Sequence, residues 1–248
     1  AISTVALPSL AVEATQTDKE AFRKRLEGAL KLNAALCIPA ACGLAILSVP
    51  LVGMLFHLPG AKFDFHATLA TAEVLRAYTL GLIGYASIKV LVAGFYALNR
   101  TLVPMCVSLG SILVTICLNW FFTHRTNLGA AGLALATSFT ALCSAGIFLS
   151  LLTRSVGGPS RENWSALGRI IAAAAVMSAV VVLSEWGHSW FGIEHHFRGN
   201  LSRVIIGVPA GVLTYVMAAR ALKIEEVMAV EKMFLGKLGL RFGARSGG

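Results

Sequence analysis

The chain has 248 residues, of which 56% are hydrophobic and only 13% charged, and its mean hydropathy is +0.75. Soluble globular proteins carry about 25% charged residues, so this composition excludes a water-soluble enzyme, a disordered chain and a small disulfide-bonded scaffold. The basic residues behind the net charge of +9 lie between long apolar runs rather than along one face, which argues against nucleic-acid binding. The sequence therefore predicts an all-α polytopic membrane protein.

The chain opens with two short segments that precede the long apolar runs. Residues 1–12 are apolar, but a bilayer core takes about 20 residues per helix, so we expect them to be the end of a truncated transmembrane helix. Residues 13–31 are predicted to form a cytoplasmic interfacial amphipathic helix. Thr17 and Glu20 match a capping box there, and apolar residues recur on one face after them.

Six apolar stretches follow within residues 32–219, and we expect them to form a six-helix transmembrane lobe. They are Leu32–Ala61, Ala77–Asn99, Thr101–His124, Thr126–Thr153, Ile170–Ser184 and Val204–Ala219. Residues 220–248 form a basic tail. The segments that connect the spans lie alternately on the two sides of the membrane. The set that includes this tail holds about three times as many Lys and Arg as the other set, and such residues collect on the cytoplasmic side. The charge pattern therefore predicts a cytoplasmic C-terminus.

Patterns that would indicate covalent chemistry are absent from the sequence. All five cysteines lie in apolar stretches without a CxxC pair, so we interpret them as small apolar residues. No Walker A motif, nucleophile–base pair or pair of catalytic carboxylates is found, and we expect no enzyme activity. Several polar residues crowd the last outer loop, but their spacing matches no zinc site and favours solvated side chains. These are Glu185, His188, Glu194, His195 and His196.

Several motifs together resemble one family of transporters. The motifs are Leu7-Pro8-Ser9-Leu10-Ala11, Ile38-Pro39-Ala40-Ala41-Cys42-Gly43-Leu44, Gly81-Leu82-Ile83-Gly84-Tyr85, Gly94-Phe95-Tyr96-Ala97 and Leu128-Gly129-Ala130-Ala131-Gly132. With them the chain, over residues 1–154, resembles the MurJ/MviN lipid II flippases of the multidrug/oligosaccharidyl-lipid/polysaccharide exporter superfamily. It departs from the family at Leu98-Asn99-Arg100, where a Gln-Asp pair is common.

The resemblance implies a fold of fourteen helices in two lobes, of which this chain would be the C-terminal lobe. It implies transport of lipid II, an undecaprenyl-pyrophosphate-linked peptidoglycan precursor, across the bacterial inner membrane by alternating access. A Na⁺ or H⁺ gradient or the membrane potential would drive it, without a cofactor. The implied partners are lipid II, membrane lipids and the missing N-terminal lobe, which would carry most of the cavity arginines; nucleic acid is not among them.

Lys89 is a charged residue near the middle of the apolar stretch Ala77–Asn99. A charge at the bilayer centre costs about 2.5–3.5 kcal/mol on insertion scales, so such a residue usually faces a cavity or a partner. One interpretation is that Lys89 lies on the substrate path and meets the phosphates of the precursor. The other is a structural pair with a carboxylate or with helix carbonyls.

Four polar residues on neighbouring spans offer neutral oxygen ligands. Asn119 and Thr123 are four residues apart and share a helix face, which Thr137 and Ser138 on the next span could approach. Neutral oxygens from two helices can bind Na⁺, so Asn119, Thr123 and Thr137 are a candidate cation site. Interhelical hydrogen bonding is the alternative, and we favour it because no carboxylate completes the site.

Two other functions remain open from the sequence. Another exporter of the same superfamily would move a different lipid-linked sugar or a drug. A non-transporting membrane scaffold would instead bind other cell-wall proteins. Growth rescue separates the first alternative from a lipid II flippase, and the effect of replacing Lys89 separates the second.

Overall fold

The computed structural model describes residues 19–56, 64–126, 128–158, 161–190 and 197–228. These residues contain seven α-helices of nine residues or more, and six of them are long and apolar enough to cross a membrane. The helices are α1 (Lys19–Ile46), α2 (Ser48–Phe56), α3 (Phe65–Ala97), α4 (Leu102–Arg125), α5 (Gly129–Val156), α6 (Arg161–Trp190) and α7 (Phe197–Ala221). The predicted all-α fold with six spans is confirmed. The predicted truncated helix at 1–12 lies outside the described residues.

The first predicted span is divided into α1 and α2 by a break at Leu47. Pro50 lacks the amide hydrogen that would bond the carbonyl of Ile46, so the helical ladder is interrupted there. Pro39 likewise removes the donor for the carbonyl of Ala35. That carbonyl accepts a hydrogen bond of 2.6 Å from the hydroxyl of Tyr215 on α7, which joins the two helices at the point where proline leaves an acceptor open.

Helix α1 begins at Lys19 and runs on to Ile46, so residue 31 is not a boundary between an interfacial helix and a span. The apolar face that the sequence assigns to the membrane interface packs on protein instead. Phe22 and Leu26 are buried in a cluster with residues of α3 and α5, among them Phe95 and Phe148. Burial against neighbouring helices stabilises an amphipathic face more than contact with headgroups does, because both partners are fully desolvated.

Helices α3 and α5 form the closest helix pair of the lobe. A Cβ atom on Gly84 would lie 2.8 Å from the carbonyl carbon of Ala141, and one on Gly81 would lie 2.7 Å from Oγ of Ser138. The buried Ser138 hydroxyl donates to the carbonyl of Ala77 at 2.7 Å. Two glycines one turn apart thus let the backbones approach, and a side-chain hydrogen bond joins them.

We call one end of the lobe the basic end. Helices α1 and α6 begin there, and helices α3, α5 and α7 end there. Here α3 stops in a Schellman motif, with Asn99 at a positive φ of 56° and the amide of Arg100 donating to the carbonyl of Phe95. Asparagine tolerates this left-handed conformation, which accounts for its place in the turn. Lys223, at φ 52°, ends α7 in the same way.

Helix α4 stands apart from the rest of the lobe and packs mainly on α5. Within the described chain, Pro104 is its one buried residue. Helices α6 and α7 pair with each other and close the other side of the lobe against α1 and α2. Two groups of helices therefore meet along α1, which contacts both α3 and α6.

Candidate functional site

An apolar groove with a volume of about 600 Å³ runs between α1, α2, α6 and α7. Nearly all of its lining atoms are apolar, and the one residue with a side-chain hydroxyl, Tyr215, donates that group to α1. The lining residues are Ala35, Leu36, Pro39, Ala40, Gly43, Leu44, Leu47, Leu51, Met177, Val181, Gly207, Val208, Gly211, Val212, Tyr215, Val216 and Val227. Such a groove offers no hydrogen-bond partner to a ligand, so it suits a hydrocarbon chain.

The floor of this groove is built from small residues and side-chain ends. Gly207 and Gly211 form a GxxxG motif on α7, which is typical of close helix contact. A Cβ on Gly207 would lie 3.2 Å from Cδ2 of Leu47, and one on Gly211 would lie 3.1 Å from Cγ2 of Val181. On Gly43 a Cβ would meet only the methyl end of Met177, at 3.8 Å. The glycines here face side chains rather than backbone.

Lys89 lies on an exposed face of α3 and does not line the groove. Within the described chain it makes no hydrogen bond and no ion pair. Tyr78, Tyr85 and Tyr96 are 48%, 47% and 49% exposed, and steps of seven and four residues place them within about 40° of Lys89 around the helix. We call these four residues the polar stripe; it is about 27 Å long at 1.5 Å per residue.

Hydrocarbon is a poor surrounding for the polar stripe, above all at Lys89 and Tyr85, which lie between its two ends. An ammonium group and three phenol hydroxyls need hydrogen-bond partners, and lipid tails supply none. The face therefore suits water or another protein body at membrane depth. Of the two interpretations of Lys89, a structural pair within this lobe finds no partner among the described residues. The three tyrosines were not predicted, although their helical spacing from Lys89 is visible in the sequence.

The candidate cation ligands lie on α4 and α5, which pack directly against each other. Asn119 is half-buried, and its Oδ1 atom is buried without a hydrogen-bond partner in the described chain. Thr137 is half-buried, and its hydroxyl donates to the carbonyls of Leu133 and Ala134, which leaves its oxygen lone pairs available. Thr123 is exposed. No hydrogen bond joins the three side chains within the described residues.

The expectation that Ser138 approaches the same face of α4 is wrong, because its hydroxyl donates to Ala77 on α3. A second correction concerns Glu185, which the sequence places in a solvated loop. It lies inside α6, and its Oε2 atom is 3.9 Å from Nη1 of Arg203 on α7, whose side chain is 7% exposed. The side chain of His188 and residues 194–196 lie outside the described residues.

Comparison with known proteins identifies the family. The family model described as "Lipid II flippase MurJ" matches residues 1–199. The "Lipid II flippase MurJ" of Burkholderia cenocepacia is 30% identical over 195 residues, which cover 78% of this chain and 37% of that protein. The "Probable lipid II flippase MurJ" of Thermotoga maritima is 29% identical over 227 residues, which cover 92% of this chain and 42% of that protein. The chain thus spans less than half the length of these relatives.

A solved structure gives the same result for the fold. The chain called "Lipid II flippase MurJ, inward closed conformation" superposes with a TM-score of 0.71 at 24% identity, covering 90% of this chain and 43% of that one. This likeness extends the agreement past residue 199, where the family match ends. The motifs of the sequence, the six spans and these matches agree, and the chain belongs to the MurJ lipid II flippase family.

Proposed function

We propose that the protein containing this chain is a lipid II flippase, which moves the undecaprenyl-pyrophosphate-linked precursor from the inner to the outer leaflet of the bacterial inner membrane for cell-wall synthesis. The apolar groove between α1, α2, α6 and α7 is the observation that carries the proposal. A polyprenyl chain has no polar atoms, and the groove presents an almost wholly apolar surface of matching character.

The headgroup would travel on a different face of the lobe. Lys89 and the three tyrosines form a polar stripe on α3, and a pyrophosphate is recognised by cations and hydroxyl donors. In the relatives, which are more than twice as long as this chain, further protein is available to cover that face. We propose that Lys89 lies on the substrate path and contacts the phosphates, with the missing N-terminal lobe as the opposite wall.

A cation is proposed to couple to transport through Asn119, Thr123 and Thr137. The Oδ1 atom of Asn119 supports this, because a buried oxygen without a donor is costly and is well placed to bind a cation. Three neutral ligands alone would bind Na⁺ weakly, so ligands from outside the described chain would complete the site. No covalent chemistry is proposed.

The orientation in the membrane follows from charge. Basic residues gather at the basic end, where Arg100 donates to Ser155 and where Lys31, Arg169 and Lys223 surround one small pocket. Because Lys and Arg collect on the cytoplasmic side, we propose that the basic end and the C-terminus face the cytoplasm.

Growth rescue tests the proposed function. Bacteria depleted of their own lipid II flippase should grow when they express the full-length protein, and they should not grow with an exporter of other lipid-linked sugars. Lys89→Ala should abolish rescue at unchanged abundance, and Lys89→Arg should retain most of it, since a cation suffices to meet phosphate. Lys24→Ala, a change on an exposed residue of α1, is the matched control and should rescue fully.

Each alternative predicts a different result in the same strain. Failure of the abundant, membrane-inserted wild-type protein to rescue growth would contradict the lipid II flippase. A scaffold would tolerate Lys89→Ala, because binding of other proteins through a membrane-depth face does not need a charge there. Rescue by Lys89→Ala at wild-type level would therefore remove Lys89 from the substrate path.

A further inference from the structure

A second pocket, with a volume of about 410 Å³, lies at the end of the lobe opposite the basic end. It is lined by the end of α1, the start of α2, the first part of α3, the end of α6 and the start of α7. Neither the groove nor the polar stripe includes it. Three charged residues line it, Arg76 on α3, Glu185 on α6 and Arg203 on α7, between apolar walls. We call it the arginine pocket.

Arg76 is held in place by the break between α1 and α2. Its Nε atom donates to Oγ of Ser48 at 2.8 Å and to the carbonyl of Ala45 at 3.3 Å. Ser48 is fully buried, so this anchor is fixed by packing. Neither terminal nitrogen of Arg76 has an acceptor among the residues described. Glu73, one turn earlier on α3, forms no ion pair with it.

Arg203 is held by the close contact of α7 with α2. Gly53 leaves room for Asn200, one turn before Arg203, and any Cβ there would overlap the Asn200 amide. The Arg203 side chain is 7% exposed and forms an ion pair with Glu185, with Nη1 3.9 Å from Oε2. Glu185 pairs with no other cation in the described chain.

Two guanidinium groups and one carboxylate are the charged groups among the described residues that line the arginine pocket. Glu185 is paired with Arg203, whereas the terminal nitrogens of Arg76 have no acceptor among the described residues, so Arg76 can meet an anion. A guanidinium presents paired donors that match two phosphate oxygens, and a phosphodiester offers such a pair with one negative charge. We propose that the arginine pocket binds the phosphodiester group of a membrane phospholipid. The proposal concerns a lipid site of the lobe and does not depend on transport.

Exposed aromatic residues at the mouth of the pocket favour a lipid over a soluble phosphate. Trp186 is 77% exposed and Phe65 is 41% exposed, and aromatic rings at helix ends are typical of the membrane interface. Leu69, one turn into α3 from Phe65, adds an exposed apolar surface along which an acyl chain can lie. The guanidinium groups therefore sit near headgroup depth, beside surface suited to hydrocarbon.

A lipid titration tests the site. The full-length protein, stripped of lipid in detergent, is titrated with phosphatidylglycerol while its melting temperature is measured. Parallel titrations use diacylglycerol, which lacks the phosphate, and soluble glycerol phosphate. We expect only phosphatidylglycerol to raise the melting temperature. Arg76→Gln should weaken its binding about tenfold, as loss of a charge-assisted hydrogen bond does. Arg125→Gln, an equal charge change at the same end, should leave it unaltered.

A second variant has the opposite predicted sign. Glu185→Gln removes a negative charge that lines the pocket, so it should tighten phosphatidylglycerol binding. A purely structural Arg76 would lower the starting melting temperature in Arg76→Gln and leave the lipid-dependent gain intact, which would overturn the proposal. So would an equal gain with soluble glycerol phosphate, or tighter binding of undecaprenyl pyrophosphate. If Arg76→Gln fails to fold, unchanged or weaker binding by Glu185→Gln overturns it.

Discussion

The glycines at two interfaces of this lobe face different kinds of neighbouring atoms. Between α3 and α5, Gly81 and Gly84 face backbone and a serine at 2.7–2.9 Å, so no side chain can be added without moving a helix. Along the groove, Gly207 and Gly211 face side-chain methyl groups of Leu47 and Val181 at 3.1–3.2 Å, and the Leu47 end can rotate. The α3–α5 pair is therefore a fixed frame, whereas the groove can adjust its width to a flexible hydrocarbon chain.

The largest expected loss of stability comes from a substitution in the α3–α5 pair. Gly84→Ala places a methyl group 2.8 Å from the backbone of Ala141, so it should destabilise the protein by about 1–3 kcal/mol. Gly146→Ala is the matched control on α5, where nothing lies within 4 Å, and it should be neutral or stabilising by up to about 1 kcal/mol. Thermal unfolding in one detergent measures both, and equal midpoints would contradict the distinction.

Tyr215→Phe tests the hydrogen bond that joins α1 and α7 beside the groove. The variant leaves the Ala35 carbonyl without its donor, and Pro39 cannot replace it, so the expected loss is about 1 kcal/mol. Tyr85→Phe removes an exposed hydroxyl that bonds nothing in the described chain, and its unfolding midpoint should equal that of the wild type. Matching midpoints for the two variants would argue against a structural role for the Tyr215 hydroxyl.

A smaller effect is expected between α1 and α3. The buried Asn33 donates from Nδ2 to Oγ of Ser87 at 3.2 Å, and hydrogen bonds between membrane helices average about 0.6 kcal/mol. Ser87→Ala should cost about that amount. Ser111→Ala removes an exposed hydroxyl that donates to its own helix at Ser108, and it serves as the zero reference. If Ser87→Ala lowered the free energy of unfolding more than Tyr215→Phe does, the expected order would be reversed.

The smallest loss of stability is expected in the groove. Gly43→Leu meets only the end of Met177, so it should cause no loss of stability and can gain up to about 1 kcal/mol from helix propensity. The added side chain occupies the groove, and binding of a polyprenyl phosphate should fall while the protein stays folded. Gly110→Leu, in open space on α4, should leave binding intact. A Gly43→Leu variant that binds normally would show that the groove does not hold the chain.

The six spans follow from the sequence because hydropathy and helix length are local properties. The groove does not, because it depends on which helices meet, and that is decided by contacts such as Tyr215 with Ala35. Charges show the same limit. Arg76 and Arg203 fall just outside the predicted apolar stretches and the sequence pattern assigns Glu185 to the last outer loop, yet all three lie inside helices. A hydropathy pattern cannot show that a carbonyl, a hydroxyl or a facing carboxylate compensates a charge within a helix.

Photo-crosslinking from the groove tests the central claim most directly. A photoreactive residue is introduced at Val212, which lines the groove and is 56% exposed, or at Leu109 on α4, which is 57% exposed and outside it. In membranes supplied with labelled polyprenyl-pyrophosphate-linked precursor, we expect label on the Val212 variant and its loss when unlabelled polyprenyl pyrophosphate competes. Equal labelling at Leu109, or labelling at Val212 that resists competition, would contradict a groove that holds the polyprenyl chain.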